Sequence, residues 1–285
     1  MMKLAFSTNA FVRHTLAEAI ECIGRLGYAG VEILADKPHW YPGGAEKFDA
    51  AEAERVREML EKARLVVSNV NANCTFGYWK DAPPEPFFEP SLISPEERLR
   101  GDRVRMIQNT LHFAKGIGAE NISITSGKAL PTMPPELAMK QLRESLGPVL
   151  EVAEKLKVRV GIECEPMLFI EWAHELRDLI DRMGSKMLGA NLDIGHSVVL
   201  GEDVAGALKL LEGRVWNCHV EDIPGRKHYH LIPGTGTMDW AGLRGALEAA
   251  KYDRFLTVEL YTYPDRPAEA AEESLAYLEG IFGEE

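Results

Sequence analysis

The chain lacks any apolar run near the roughly 18 residues that a membrane span needs, so no membrane partner is expected. Cysteine is scarce as well. Cys22, Cys74, Cys164 and Cys218 form no CxxC pair and no knuckle spacing, which excludes a disulfide framework and a cysteine-built zinc site. Positive charge is in deficit: 32 lysines and arginines stand against 44 aspartates and glutamates, a formal net charge of −12. Arg98, Arg100, Arg103 and Arg105 are scattered along one helical stretch among acids. A nucleic-acid backbone requires a positive surface to displace its counterions, so no nucleic-acid partner is expected either. The opening MMKLAFSTNAFVRH is too polar for a secretory leader, and a reducing cytoplasm is the expected location. The turn after the first strand candidate, STNAFVRH, has none of the glycines that a doubly wound open sheet usually carries there.

What is present is alternation. Short β-rich runs recur at Lys3–Ser7, Gly30–Leu34, Leu65–Asn71, Asn121–Thr125, Arg159–Glu163, Leu188–Asp193, Val215–Glu221 and Phe255–Leu260. Between and after them lie helical patterns near 15–27, 49–63, 96–117, 135–156, 171–184, 203–212, 239–250 and 267–281. Strands alternating with helices make a parallel sheet, and this many units close into a barrel. The expected fold is therefore α/β, a single-domain (β/α)8 TIM barrel over residues 1–285. No linker or composition break interrupts it. One irregular stretch, about 74–95, holds Pro83, Pro84, Pro86 and Pro90 with Trp79, Phe87 and Phe88, and is expected to act as a loop or lid.

Barrels of this kind place their chemistry at the C-terminal ends of the strands. The fifth strand ends GIECEP, with Glu163 and Glu165; the sixth ends NLDIGH, with Asp193 and His196. The seventh ends NCHVED, with His219 and Glu221, and the eighth ends TVELY, with Glu259. Side chains alternate between the barrel interior and the helix layer. If Glu163 and His219 point inward, Cys164 and Cys218 point out and serve packing. Several carboxylates meeting at one mouth repel one another and are costly to desolvate, and a divalent cation relieves both. Glu163, Asp193, His219 and Glu259 supply three oxygen donors and one imidazole. That set suits one divalent metal ion, Mn²⁺, Mg²⁺ or Co²⁺, with Zn²⁺ admitted but not favoured. The competing reading is a set of unrelated polar residues paired with lysine or arginine.

At these residues the chain resembles the xylose isomerase-like barrel superfamily, in particular its sugar phosphate isomerase/epimerase branch. LGYAGVEI, GIECEP, GANLDIGH, WNCHVED, PGTGTMDW and LTVEL follow in the family's order. The resemblance implies Glu163, Asp193, His219 and Glu259 as metal ligands. It also implies Glu163 and Glu259 as acid and base on opposite faces of the substrate. His196 and His230 are implied as substrate contacts. The implied activity is metal-dependent isomerisation or epimerisation of a sugar, sugar phosphate or polyol, by proton transfer through a stabilised enediolate. Glu165 and Glu221 are further substrate-binding candidates, since both return to the interior side. The partner is thus a small carbohydrate-like molecule, and pairing into a homodimer is allowed, with Trp216 or the 74–95 stretch as contact surface.

Weaker signals remain. His39 and Trp40 follow the second strand in KPHWYP, where an aromatic ring can stack on a sugar face; Trp40 is a binding candidate on that ground. Asn9 ends the first strand and can reach a substrate. Glu32 ends the second and can hydrogen-bond a metal ligand. Gly234–Thr235–Gly236 lies where barrels often hold phosphate, or is a turn with Thr237 or Asp239 as a helix cap. A dehydratase of the 3-dehydroshikimate or inosose type would use the same groups. An endonuclease IV-like repair enzyme would need histidines at the ends of strands three and four, and VVSNVNANC and NISITSG have none.

Overall fold

The computed structural model describes residues 2–43, 48–81 and 88–283. Strands β1 (Lys3–Ser7), β2 (Gly30–Leu34), β3 (Val66–Asn71), β4 (Asn121–Thr125), β5 (Arg159–Glu163), β6 (Leu188–Asp193), β7 (Val215–Val220) and β8 (Phe255–Val258) pair in sequence order. All pairs are parallel, and β8 closes on β1. Around them run α1 (Leu16–Leu26), α2 (Ala50–Ala63), α3 (Glu97–Gly116), α4 (Pro135–Leu156), α5 (Ala173–Met183), α6 (Ile194–Leu200), α7 (Val204–Leu210), α8 (Trp240–Ala249) and α9 (Pro267–Phe282). The chain is one closed (β/α)8 barrel. Among the described residues no helix is long and apolar enough to cross a membrane.

Local chemistry sets the element ends. Thr15 and Glu18 form a reciprocal capping box at the start of α1, and Gly27 ends that helix at φ 100°, a left-handed conformation that costs glycine little. Outward-facing strand residues such as Phe6, Ile33, Ile122, Ile162, Leu192 and Val258 pack against Ile20, Ile107, Leu111, Leu142 and Leu176 of the helices. The hydrophobic core is therefore the shell between sheet and helices. Cys164 and Cys218 belong to that shell, and burial pushes the Cys218 thiol up to about 12, so it is an inert packing group.

Inside the cylinder the filling is polar. Asn121 Nδ2 donates to Asn69 Oδ1 at 2.8 Å, Asn69 Nδ2 to Ser123 Oγ at 2.8 Å, and Asn217 Nδ2 to Asn191 Oδ1 at 2.8 Å. Thr257 Oγ1 donates to Asn217 Oδ1 at 2.9 Å or Ser68 Oγ at 3.0 Å. Every group in this stack has a partner, which is the condition for burying it at tolerable cost.

Three local differences from the sequence reading matter for the site. β7 stops at Val220 and β8 at Val258, so Glu221 and Glu259 stand just past their strands. Leu65 precedes β3. Helix α6, absent from the expected pattern, begins directly after Asp193, whose carboxylate accepts from His196 N–H at 2.8 Å as its cap. His196 therefore projects from a first helical turn rather than from a strand end.

Candidate metal centre at the barrel mouth

The ends of β5, β6, β7 and β8 bring four side chains together. One ligating atom from each of Glu163, Asp193, His219 and Glu259 lies within 4.8 Å of the others, and all four side chains are buried. His219 Nδ1 is 3.3 Å from Glu163 Oε2, 3.6 Å from Glu259 Oε2 and 3.9 Å from Asp193 Oδ2. Its other nitrogen, Nε2, donates to Glu32 Oε2 at 2.6 Å, and Glu32 also accepts from Asn69 at 2.7 Å and Asn71 at 3.2 Å. A carboxylate behind an imidazole fixes the ring and raises its donor strength toward a cation.

Glu163 and Glu259 are held alike. Asn73 Nδ2 (2.7 Å) and Asn191 Nδ2 (2.5 Å) both donate to Glu163 Oε2. Asn9 Nδ2 (2.9 Å) and Asn71 Nδ2 (2.8 Å) both donate to Glu259 Oε1. Among the described residues the second oxygen of each glutamate receives no such donor. Each glutamate thus has one oxygen anchored by two amides and one without such a donor. Asn71 and Asn73 reach both glutamates from one tripeptide. Arg103, fully buried, braces that tripeptide by donating to Ala72 O at 2.5 Å and Asn73 O at 3.3 Å.

The electrostatics ask for a cation. No lysine or arginine pairs with Glu32, Glu163, Glu165, Asp193, Glu221 or Glu259 among the described residues, which removes the reading of strand-end acids neutralised by basic side chains. Burial pushes the Glu259 carboxyl well up, His219 opposes this, and Glu163, Glu32 and Asp193 add to it. Burial also works against an ionised Asp193, yet His196, His230 and His219 hold it below its ordinary value. Asp193 Oδ2 is buried without a hydrogen-bond partner. Three oxygen donors, one imidazole and an orphaned carboxylate oxygen fit a hard divalent ion.

The neighbouring candidates lie around this centre. His196 Nδ1 donates to Cys164 O at 3.0 Å, while its Nε2 has no hydrogen-bond partner and sits 3.5 Å from Asp193 Oδ2 and 3.7 Å from Glu165 Oε2. His230 Nδ1 donates to Glu259 O at 2.9 Å. Its Nε2 faces His228 Nε2 at 3.1 Å, and Tyr261 lies over its ring at 4.6 Å. Glu165 is pushed up to about 7 by burial, with His196 opposing and Glu163 and Asp193 assisting. Glu221 is fully buried against Gly195, both oxygens without a donor. Burial and the charge of Asp193 raise its carboxyl well above the usual range. Asn9 is at the centre through its bond to Glu259.

Other sequence candidates fall elsewhere. Trp40 is 3% exposed, stacked on Phe113 of α3 at 3.8 Å, with its N–H donating to Glu52 of α2 at 2.8 Å. It packs in the helix layer because the 35–41 turn folds back under α2 and α3, and it has no face at the mouth. His39 is committed to Thr8 and the Phe11 carbonyl. Trp216, considered as contact surface, is buried beneath the guanidiniums of Arg159 and Arg254, at 5.0 and 5.5 Å. Gly234–Gly236 wraps around the chain's own Asp222, and Asp239 caps α8 through Gly242 N–H at 2.9 Å, so the capping reading describes this loop. Of the 74–95 stretch, 82–87 lie outside the described residues. Its flanks are pinned by Thr75 and Trp79, which both donate to Glu89 O, at 2.6 and 2.5 Å.

A closed parallel barrel with a buried acid–imidazole cluster at its C-terminal rim defines the general class. The chain belongs to the Xylose isomerase-like TIM barrel family, whose model matches residues 20–281. It is similar to fructoselysine 3-epimerase of Escherichia coli O157:H7, 23% identical over 290 residues and all of both chains. Among solved structures it resembles apo 3-keto-D-glucoside 4-epimerase from E. coli, with a TM-score of 0.80, 20% identity, 98% of this chain and 100% of that one. It also resembles the IOLI protein with a bound zinc atom, with a TM-score of 0.77, 17% identity and 98% of each chain.

Proposed function

We propose that the chain is a divalent-metal-dependent epimerase or isomerase of a small keto-sugar, with Glu163, Asp193, His219 and Glu259 holding the ion. The observation that carries this reading is the matched pair Glu163 and Glu259, each anchored through one oxygen by two amides. An ion bound there would polarise a substrate carbonyl as a Lewis acid. One glutamate, as carboxylate, would take the α proton, and the other, as carboxylic acid, would deliver its own proton from the opposite face, which inverts the carbon; exchange with solvent resets both. His196 Nε2 and His230 serve substrate oxygens, and Glu165 and Glu221 line the approach. The names of fructoselysine 3-epimerase and 3-keto-D-glucoside 4-epimerase, each similar over 98% or more of this chain, support the same class.

The test is solvent-deuterium wash-in at the substrate α carbon, followed by NMR with Mn²⁺-loaded protein and a panel of ketoses. Exchange without loss of water is expected. Loss of water with a new enone absorbance would move the chain to the dehydratase class, and no exchange with any ketose would remove the proposal.

A further inference from the structure

We infer that the chain holds a second divalent cation, of borderline softness such as Zn²⁺, on His196, His228 and His230. This imidazole site stands beside the oxygen-rich centre and shares no ligand with it, so it does not depend on the proton-transfer reading.

One nitrogen from each of the three rings lies within 4.8 Å of the others. The rings come from two braced pieces of backbone. His196 sits in the first turn of α6, behind the Asp193 cap. His228 and His230 lie on the loop after β7, which is tied back to the strand end. Asp222 and Leu231 exchange backbone hydrogen bonds at 2.7 and 2.9 Å, and Thr262 Oγ1 donates to His230 O at 2.5 Å. A backbone carbonyl can only accept, so the Nδ1–H of His196 is committed to Cys164 O and that of His230 to Glu259 O. Each of these rings has only Nε2 left to give, the arrangement found behind metal-bound histidines. His228 Nε2 approaches His230 Nε2 to 3.1 Å.

Zinc bonded to imidazole nitrogens at about 2.0 Å holds them roughly 3.3 Å apart in a tetrahedron, close to the His228–His230 separation. A proton shared by those two nitrogens would satisfy two rings only. His196 Nε2, on a side chain 2% exposed, would stay buried without a hydrogen-bond partner, whereas a cation satisfies all three. Asp193 Oδ2 at 3.5 Å and Glu165 Oε2 at 3.7 Å from that nitrogen offset the charge of such an ion. His228 is half-buried, which gives the ion a way in. Imidazole donors suit zinc, copper or nickel rather than Mn²⁺ or Mg²⁺, in contrast to the carboxylate-rich set beside them. Three protein ligands leave the fourth position of a tetrahedral ion open, as in catalytic zinc sites. The substrate oxygens assigned to His196 and His230 would then meet this ion in place of the rings themselves.

The experiment dialyses metal-free protein against Zn²⁺, counts bound zinc by plasma mass spectrometry and reads its ligands by X-ray absorption at the zinc edge. Wild type should hold two zinc ions per chain, and His228→Gln one. The three rings together with His219 average to two imidazoles per zinc in wild type, and the average should fall to one in the variant. Should the variant fold poorly, the wild-type count and imidazole average decide the matter. A single zinc in wild type would overturn the inference, as would two zincs in both proteins. Deuterium wash-in on the same samples keeps the two readings apart. One zinc with wash-in intact sinks the second site and leaves the epimerase reading standing, while two zincs that vanish to one in His228→Gln support the second site whatever the wash-in shows.

Discussion

His219 Nε2 lies 2.6 Å from Glu32 Oε2, so the imidazole turns its Nδ1 toward Glu163, Asp193 and Glu259. Glu32→Gln keeps the shape but replaces the anion behind the ring. The variant should bind Mn²⁺ about 10- to 100-fold more weakly, as for comparable partners of metal-bound histidines. Titration calorimetry on both proteins measures the difference, and equal affinities would refute the coupling.

Glu259→Gln and Glu163→Gln should each lower kcat by about 10²- to 10⁴-fold, the usual contribution of a positioned acid or base. The fold should persist, since the amide remains able to fill the same space. Wash-in rates together with circular dichroism melts check both halves. A variant with normal turnover would contradict the assignment of that glutamate.

Saturating Mn²⁺ should stabilise the protein. Binding to the folded state alone adds about 2.7 kcal/mol at 100 times Kd, or roughly 4–5 °C in Tm for a chain of 285 residues. Asp193→Asn should lose most of that gain, because its Oδ2 is the orphaned oxygen at the centre. Scanning calorimetry with and without the ion decides it.

For the ion-free protein, pH acts through His196. Burial pulls its imidazole down, but Asp193, Glu165 and Glu163 outweigh this and raise it from 6.5 to about 9. Between those values the folded state holds a proton that the unfolded state has lost. The contribution is therefore complete below pH 6.5 and declines as pH rises to 9. Glu165, raised from 4.5 to about 7 chiefly by burial, acts in the same direction over that lower window. Urea midpoints should fall from pH 6 to pH 9, and His196→Gln should flatten the decline. A midpoint that rises over this range would be incompatible with the arrangement.

Trp40→Ala should act on stability rather than on substrate. Losing a buried indole stacked on Phe113 costs about 3–5 kcal/mol, while KM should stay unchanged. Denaturant unfolding and steady-state kinetics separate the two. A raised KM with unchanged stability would put Trp40 back at the mouth.

The acids and the imidazole were legible because strand ends and inward parity are written in short runs such as GIECEP and NCHVED. The amides that hold them were harder to see. Asn71, Asn73 and Asn191 neither titrate nor match a ligand pattern, although the inward parity of β3 and β6 would have pointed to Asn71 and Asn191. Trp40 was misread because KPHWYP follows a strand, and nothing in six letters reveals that the turn folds back under α2 and α3. Helix α6 has only seven residues, too few for a helical period to register. The role of Asp222 depends on residues 12 to 18 positions away coming back to it, a purely tertiary fact.

Because the cylinder is filled with amides and hydroxyls while the aliphatic residues lie outside it, folding and chemistry draw on separate sets of side chains. Drift in the outer shell is constrained by shape, drift in the inner stack by partner matching. A lineage built this way can exchange the groups that meet its substrate, one matched pair at a time, without reopening the question of whether the chain folds.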